Sequence, residues 1–409
     1  MTTVDQVGQV WAEHRPQVVA TLARRLGDLQ LAEDAVQEAY LAAARRWPTD
    51  GLPDRPGAWL TTTAWRKAVD VQRRQRFPLL NGEERAGVDR GTGDERHLGR
   101  DPIAAADDVL ALVLACCHPA LSPEAQVALT LRHVVGLTDR EVAARLLVAG
   151  PTLTKRLVRA RAKIRDAGIG IEVPTTEHLP GRVHEVRTVV HLLFTQGYAD
   201  PARGRELCEE AIWLGRQVHR MLPDDSETAA LLALMLLHHS RWAARWVDGR
   251  LVPYDEQDRA LWDGAAVAHA TQLLSGVDQP GAYGLHAAIA LLRAATEPRW
   301  RLIADLYTAL TRLDESPVVR VNRAVAVGRA DGPQTGLAAL APLLDDSRVS
   351  GTGSLLAAQA ELLERAGEHS AEAAWRRAAD AARNDEEREH LLSRARRAAA
   401  GPPGVTASP

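Results

Sequence analysis

Apolar residues recur along this chain at the spacing of an α-helix, and that repeat, cut at intervals by Pro and Gly, constrains the fold more than any other feature. Val18, Val19, Leu22 and Leu26 share one helical face, and Leu31, Ala35 and Ala39 share another. Ala, Leu and Arg dominate while Phe and Tyr number 2 and 5, a mixture that favours helix because straight-chain side chains lose little rotamer freedom there. The expectation is an all-α protein. A length of 409 residues exceeds one ordinary core and implies about two or three units. With 46% hydrophobic and 25% charged residues, the chain has enough apolar material to bury, which excludes a wholly disordered protein.

The first helical block runs from Val4 to Phe77. Pro48, Pro53 and Pro56, with Gly51 and Gly57, break it ahead of a later helix from Ala58. From Pro78 to Asp101 the sequence turns polar and glycine-rich, with almost nothing to bury, and reads as a linker. Helical periodicity returns from Pro102 and closes near Gly168, Gly170 and Pro174. The expected organisation is a first domain over 1–77, a flexible linker over 78–105 and a second domain over 106–170. A short linker over 171–182, a third helical unit over 183–400 and a tail over 401–409 complete it. The third unit strings helical segments such as ETAALLALMLLHHSRWAARW and WRLIADLYTALTRL between Pro and Gly clusters, at intervals that suggest stacked helix pairs. Gly367, Trp375 and Ala378 resemble one imperfect tetratricopeptide unit, though an ordinary helical hairpin accounts for them equally well.

A net charge of −3 argues against a protein that coats nucleic acid over its whole surface, but charge can be segregated by segment. Three cysteines, Cys116, Cys117 and Cys208, cannot build a disulfide framework, so a reducing compartment fits. No basic leader followed by an apolar run opens the chain, and no stretch approaches a membrane span; the expected location is cytoplasmic. Cys116, Cys117 and His118 are adjacent, diverge in direction on a helix and have no second ligand pair, so they read as packing residues and no metal is expected. His238 and His239 flank an apolar run and read likewise as packing or surface residues. Phosphate loops, nucleophile elbows and HExxH patterns are absent, and the acid pairs Asp224–Asp225 and Asp345–Asp346 sit in turn contexts. Neither catalysis nor a cofactor is expected.

The most informative local pattern is GLTDREVAARLLVAGPTLTKRLVRARAKIR, Gly136 to Arg165. Thr138 is placed to cap a helix that opens with Asp139 and Glu141 and turns Val142, Ala143 and Leu146 inward. After a break at Val148 to Gly150, Pro151 suits the first turn of a second helix. Two helices joined so tightly make a helix-turn-helix. The second carries Lys155, Arg156, Arg159, Arg161, Lys163 and Arg165 with no acid before Asp166, while Leu153, Leu157, Val158 and Ile164 form its apolar face. Such a stripe beside phosphates releases counterions and gives salt-dependent affinity. In the usual docking the first turns meet base edges and later cations meet phosphate, which assigns Thr152, Thr154, Lys155, Arg156 and Arg159 to bases. Arg161, Lys163 and Arg165 fall to the backbone.

Together the two helical blocks resemble an extracytoplasmic-function sigma factor. LAEDAVQEAYLAAARRWP, Leu31 to Pro48, looks like the sigma region 2.2 helix, through Asp34, Ala35, Gln37, Glu38, Tyr40 and Trp47. The resemblance implies that Asp34, Gln37, Glu38, Tyr40 and Trp47 dock on the β′ clamp helices of core RNA polymerase. PGAWLTTTAWRKAVDVQRRQ, Pro56 to Gln75, looks like regions 2.3 and 2.4, which capture the opened −10 strand. Aromatic faces interleaved with cations are what splayed bases and phosphates require, and Trp59, Trp65, Arg66, Lys67, Asp70, Arg73 and Arg74 are the candidates. The helix-turn-helix is similar to region 4, which binds the −35 element, except that Leu147 stands where typical members carry Gly in the turn. A narrower resemblance, carried by ACCHPALSPEAQVALTLR, RLVRARAKIRDAG, LLFTQGYA and SPVVRVNRAVAV, is to the ECF42 subgroup with its long helical, tetratricopeptide-like C-terminal extension. It implies promoter DNA and polymerase core (β′ and β subunits) as partners and an extension that modulates activity; independently of it, the grooves of a helical array suit a regulatory protein or small-molecule ligand as the extension's own partner. The alternative is a DNA-binding regulator with a helical ligand-sensing domain, which would have no use for Asp34, Gln37 and Glu38 ahead of an aromatic and basic helix.

Overall fold

The computed structural model describes residues 3–76, 102–146, 148–175, 177–199, 204–247, 250–347, 349–382 and 385–399. Of the linker expected over 78–105, residues 78–101 lie outside the described residues, as do the turn residue Leu147 and the tail over 401–409, whereas 102–105 are helical and open the helix Pro102–Cys116. The chain divides into two compact units, Met1–Gln196 and Gly197–Pro409.

In the first unit, α1 (Thr3–Leu26), α2 (Leu29–Asp50) and α3 (Pro56–Arg76) pack on one another. Asp28 caps α2 by accepting from the backbone N–H groups of Gln30 and Leu31, which satisfies donors that the first turn leaves open. The expected break at Pro48 falls later: α2 runs on to Asp50, and α3 starts at Pro56, where a missing N–H costs nothing. Val18, Val19 and Leu22 from α1 meet Ala32, Ala35, Ala39 and Ala43 from α2 and Leu60, Ala64 and Ala68 from α3, all buried. Alanines at the seams let the helices approach closely, while each fully buried leucine contributes about 2 kcal/mol.

The second group of helices in this unit comprises α4 (Pro102–Cys116), α5 (Pro123–Leu129), α6 (Asp139–Arg145) and α7 (Gly150–Asp166). Every residue of α4 from Val109 to Cys116 is buried, since it packs against α1 on one side and α5 and its continuation on the other. A π-helical turn, Thr130–Val135, extends α5 and ends at Gly136, whose φ of 96° needs glycine. The helix α8 (Leu179–Tyr198) then begins by donating from Arg182 to the carbonyl of Leu114.

The second unit contains α9 (Gly204–Met221), α10 (Ser226–His239) and α11 (Trp242–Arg245), then a two-residue antiparallel pair, β1 (Trp246–Val247) with β2 (Arg250–Leu251). The helices α12 (Gly264–Leu274), α13 (Ala282–Ala294), α14 (Trp300–Leu310), α15 (Pro317–Asp331) and α16 (Pro333–Leu344) follow, and α17 (Gly353–Arg365), α18 (Ala371–Asp380) and α19 (Asp385–Ala399) end it. Successive helices share successive small cores, around Ile303 and Leu310, then Leu340 and Leu362, then Trp375 and Leu391. Apart from that short strand pair the described chain is helical, and the all-α reading holds.

Candidate nucleic-acid interface

The short helix ahead of the basic stretch, α6, forms as its cap dictates. Thr138 accepts from the N–H of Glu141, and the Glu141 carboxylate accepts in return from the N–H and hydroxyl of Thr138 (2.8 and 2.7 Å). These bonds hold the Glu141 carboxyl below the usual carboxylate range. On α7, Leu153, Leu157, Ala160 and Ile164 are buried, a run of four-, three- and four-residue steps on one stripe. Val158, expected in that stripe, is 53% exposed, because it lies one residue beyond Leu157 and so about 100° around the helix.

Opposite the buried stripe, α7 presents Thr152, Thr154, Lys155, Arg159, Lys163 and Arg165 to solvent, with Arg156 half-buried. Lys155, Arg156, Arg159 and Lys163 line one wall of a groove of about 450 Å³, closed on the other side by the segment from Ala120 to Ala125. Four cations line it against the nearby charge of Glu124, which acts on Arg156 through space, so its net field is positive and it can receive a polyanion. Thr154 donates to the Gly150 carbonyl, and Arg165 lies 3.5 Å from Asp166. The half-buried Arg161 is set apart from the groove: the charges that act on it are those of Asp139, Arg132, Asp34 and Glu33, and burial holds its guanidinium below the usual arginine range.

On α2, Asp34, Gln37 and Glu38 are exposed along one helical face, three and four residues apart. Gln30 donates to Asp34 (2.7 Å), and Lys67 of α3 stands 3.9 Å from Glu38. Tyr40 and Trp47 face elsewhere. Tyr40 stacks on Trp11 with centroids 4.5 Å apart, and the buried Trp47 meets Trp59 edge-on at 5.3 Å. Trp59 and Trp65 are half-buried, with the Arg25 guanidinium 5.9 Å from the Trp65 ring. Arg66, Lys67, Asp70 and Arg74 are exposed along α3, and Arg73 is half-buried.

Sequence reasoning missed the polar node that joins the two helical groups of this unit. Arg15 of α1 donates through Nη2 to both oxygens of Glu33 (2.7 and 2.9 Å), and His133 of the π turn meets the same carboxylate through Nδ1 at 3.0 Å. Arg132 adds an ion pair at 3.5 Å. Since a carboxylate only accepts, His133 carries its proton on Nδ1. Burial holds the imidazole below the ordinary histidine value of 6.5. Burial pushes the Glu33 carboxyl up, but the His133 hydrogen bond and the Arg15 and Arg132 charges outweigh it and leave it below 4.5. A second bridge lies nearby, where Thr21 and Arg24 of α1 donate to the buried Asp108 of α4 (2.8 and 2.7 Å). The available signals were a glutamate at helical spacing from the apolar Leu29 and Val36, and a histidine inside TLRHVV.

Cys116 and Cys117 are buried free thiols at the end of α4, and burial drives both pKa values up, that of Cys117 to about 12. Cys117 packs against the Thr130 hydroxyl at 3.6 Å, and His118 accepts from the N–H of Ala120. Among the described residues no group of three His, Cys, Asp or Glu side chains could hold a metal ion, and no helix is long and apolar enough to cross a membrane.

A family model described as Sigma-70 region 2 matches residues 10–77, and a family of unknown function, DUF6596, matches residues 182–278. An uncharacterized protein of Rhizobium meliloti (strain 1021) is 36% identical over 364 residues, covering 86% of this chain and 86% of that protein. A probable ECF RNA polymerase sigma factor, SigI, of Mycobacterium tuberculosis is 26% identical over 178 residues, in the sequences of two strains. That match covers 44% of this chain and 61% of the Mycobacterium protein. No solved structure matches the chain.

Proposed function

We propose that this chain, which belongs to one family with the Rhizobium protein and matches Sigma-70 region 2 over residues 10–77, is an extracytoplasmic-function sigma factor that binds core RNA polymerase and directs promoter-specific initiation. The observation that carries the reading is the pairing, in one unit, of an exposed acidic α2 face beside an aromatic and basic α3 with a positive groove on α7. In this reading Asp34, Gln37 and Glu38 dock on the β′ clamp helices, and Tyr40 and Trp47 set the helix that carries them. Trp59, Trp65, Arg66, Lys67, Arg73 and Arg74 receive the opened −10 strand, stacking bases and pairing phosphates. The Thr152 to Arg159 face of α7 enters the major groove at the −35 element, with Lys163 and Arg165 on phosphate. Arg161, turned toward Asp139 and Asp34, serves the packing of the free chain.

The node of Arg15, Glu33, Arg132 and His133 supports a closed free state in which region 4 rests on region 2. Polymerase would then select the open arrangement by binding it more tightly. The unit from Gly197 to Pro409 is the ECF42-like, tetratricopeptide-like extension in this reading, and it modulates activity in the cytoplasm without enzymatic chemistry of its own.

Multi-round transcription with purified core polymerase tests the proposal, comparing the full chain with one ending after Gln196, where the first unit ends. A cut near Pro180 would remove α8, whose Val183 and Val186 are buried and whose Arg182 bonds to Leu114. Initiation by the full chain alone makes the extension an activating element. If neither form initiates or binds core, the reading falls, and a DNA-binding regulator takes its place.

A further inference from the structure

The second unit carries a series of arginines laid against aromatic rings. The Arg245 guanidinium lies 4.0 Å from the Tyr198 ring centroid, while Arg241 and Arg293 lie 4.6 and 4.3 Å from that of Tyr254. Two more stacks follow, Arg329 on Trp300 and Arg394 on Trp375, each at 4.5 Å. Arg293 and these last two stacks line one groove of about 320 Å³, together with Asn322 and Ser354.

The charges in this series are not balanced alike. Glu361 and Asp255 neutralise Arg329 (2.5 and 2.7 Å), and Glu364 neutralises Arg394 (2.6 Å). Among the described residues no carboxylate forms an ion pair with Arg241, Arg245 or Arg293. Arg241, 8% exposed, donates to Gln257 and Tyr198, whereas the buried Nε atoms of Arg245 and Arg293 have no acceptor. Asp255 acts on Arg293 through space, but its hydrogen bond goes to Arg329. Three like charges gathered where solvent is scarce repel one another, and an anion from outside would relieve that cost.

We propose that this groove docks an extended acidic segment of a partner protein, a carboxylate of which is received by Arg293, the lining arginine that no carboxylate pairs among the described residues. A guanidinium presents a planar fork of donors that suits bidentate carboxylate bonds. The same stacking leaves little ring face open to nucleobases, and Glu361 and Asp255 repel a continuous phosphate backbone, so a peptide with spaced charges fits better than a nucleic acid. Asn322 and Ser354 supply partners for its backbone. This inference does not depend on the transcriptional reading.

The test uses the full chain and three fluorescein-labelled probes followed by anisotropy: a short oligoglutamate peptide, its oligoglutamine counterpart and a single-stranded oligonucleotide of matching charge. Oligoglutamate is expected to bind with an affinity that falls with salt, and oligoglutamine is expected not to bind. Arg293→Gln should weaken oligoglutamate binding by about tenfold or more, the usual loss for one charge-assisted hydrogen bond. Oligoglutamate should also raise the thermal midpoint of the unsubstituted chain and not that of Arg293→Gln. If Arg293→Gln fails to fold, Arg293→Lys, which keeps the charge and loses the fork, should bind at intermediate strength. Absence of oligoglutamate binding, or equal binding by all variants, would overturn the proposal. So would tighter, Arg293-dependent binding of the oligonucleotide, which would make the groove a nucleic-acid site.

Discussion

Replacing Glu33 with Gln tests the contact between the two helical groups of the first unit. Glu33 is 6% exposed, and its carboxylate serves Arg15 at 2.7 Å, His133 at 3.0 Å and Arg132 at 3.5 Å. Removing one charge from a buried pair costs roughly 3–5 kcal/mol, because the partner stays buried without compensation. Part of that cost falls within region 2, where Arg15 and Glu33 both reside, and persists when the groups separate. The share that crosses between the groups is chiefly the His133 hydrogen bond, worth about 1.5–3 kcal/mol for a charged acceptor. At about 2 kcal/mol, the closed-to-open equilibrium shifts roughly 30-fold. The expected result for Glu33→Gln is faster amide exchange across the π turn and α4, with tighter binding of core polymerase. His133→Ala should act in the same direction, and the double variant should exceed the larger single effect only slightly. Strictly additive effects, or unchanged core affinity in both variants, would refute the reasoning.

The same node sets a pH dependence. Glu33 lies below its ordinary 4.5 and His133 below its ordinary 6.5, so each contributes stability above that value and loses it as pH falls. Amide exchange across the contact should therefore accelerate from just below pH 6.5, and the His133→Ala chain should lack that upper step. On α7, Lys155→Ala and Arg159→Ala should each weaken duplex binding and relax its sequence preference, Lys163→Ala should lower the salt slope by about 0.9, and Arg161→Ala should leave the slope unchanged. Filter binding across salt concentrations checks both. Thr138→Ala removes the capping box and should lower stability by about 1 kcal/mol in urea unfolding. Gly204→Ala should cost the second unit at least about 2 kcal/mol, since a Cβ there would overlap the Gly197 carbonyl, which is backbone and cannot turn aside. Denaturant titration measures that loss, and a value near zero would mean that α8 and α9 separate readily there.

Most of the helices were legible because their causes are local. A capping threonine three residues ahead of Glu141, a proline in the first turn of α7 and apolar residues at i, i+4 and i+7 act within a few residues, and neighbours along the chain suffice to reveal them. The exposed candidates Asp34, Gln37, Glu38, Lys155 and Arg159 were legible for the same reason, since a polar face follows once the apolar stripe is known. Val158 was misjudged where helical phase had to be read to within one residue: Ala160 fills the stripe in its place. The node at Glu33 was beyond such reading, because Glu33 and His133 lie 100 residues apart and ionise as they do only once both are buried together. The arginines on Tyr198 and Tyr254 are of the same kind, assembled from α8, α10–α11, the turn before α12 and α13. Sequence by itself determined where helices start, stop and turn apolar, since those depend on short-range sterics and hydrogen bonds. Tertiary structure alone decided which charges lost their water, because desolvation is imposed by whatever segment arrives from elsewhere in the chain.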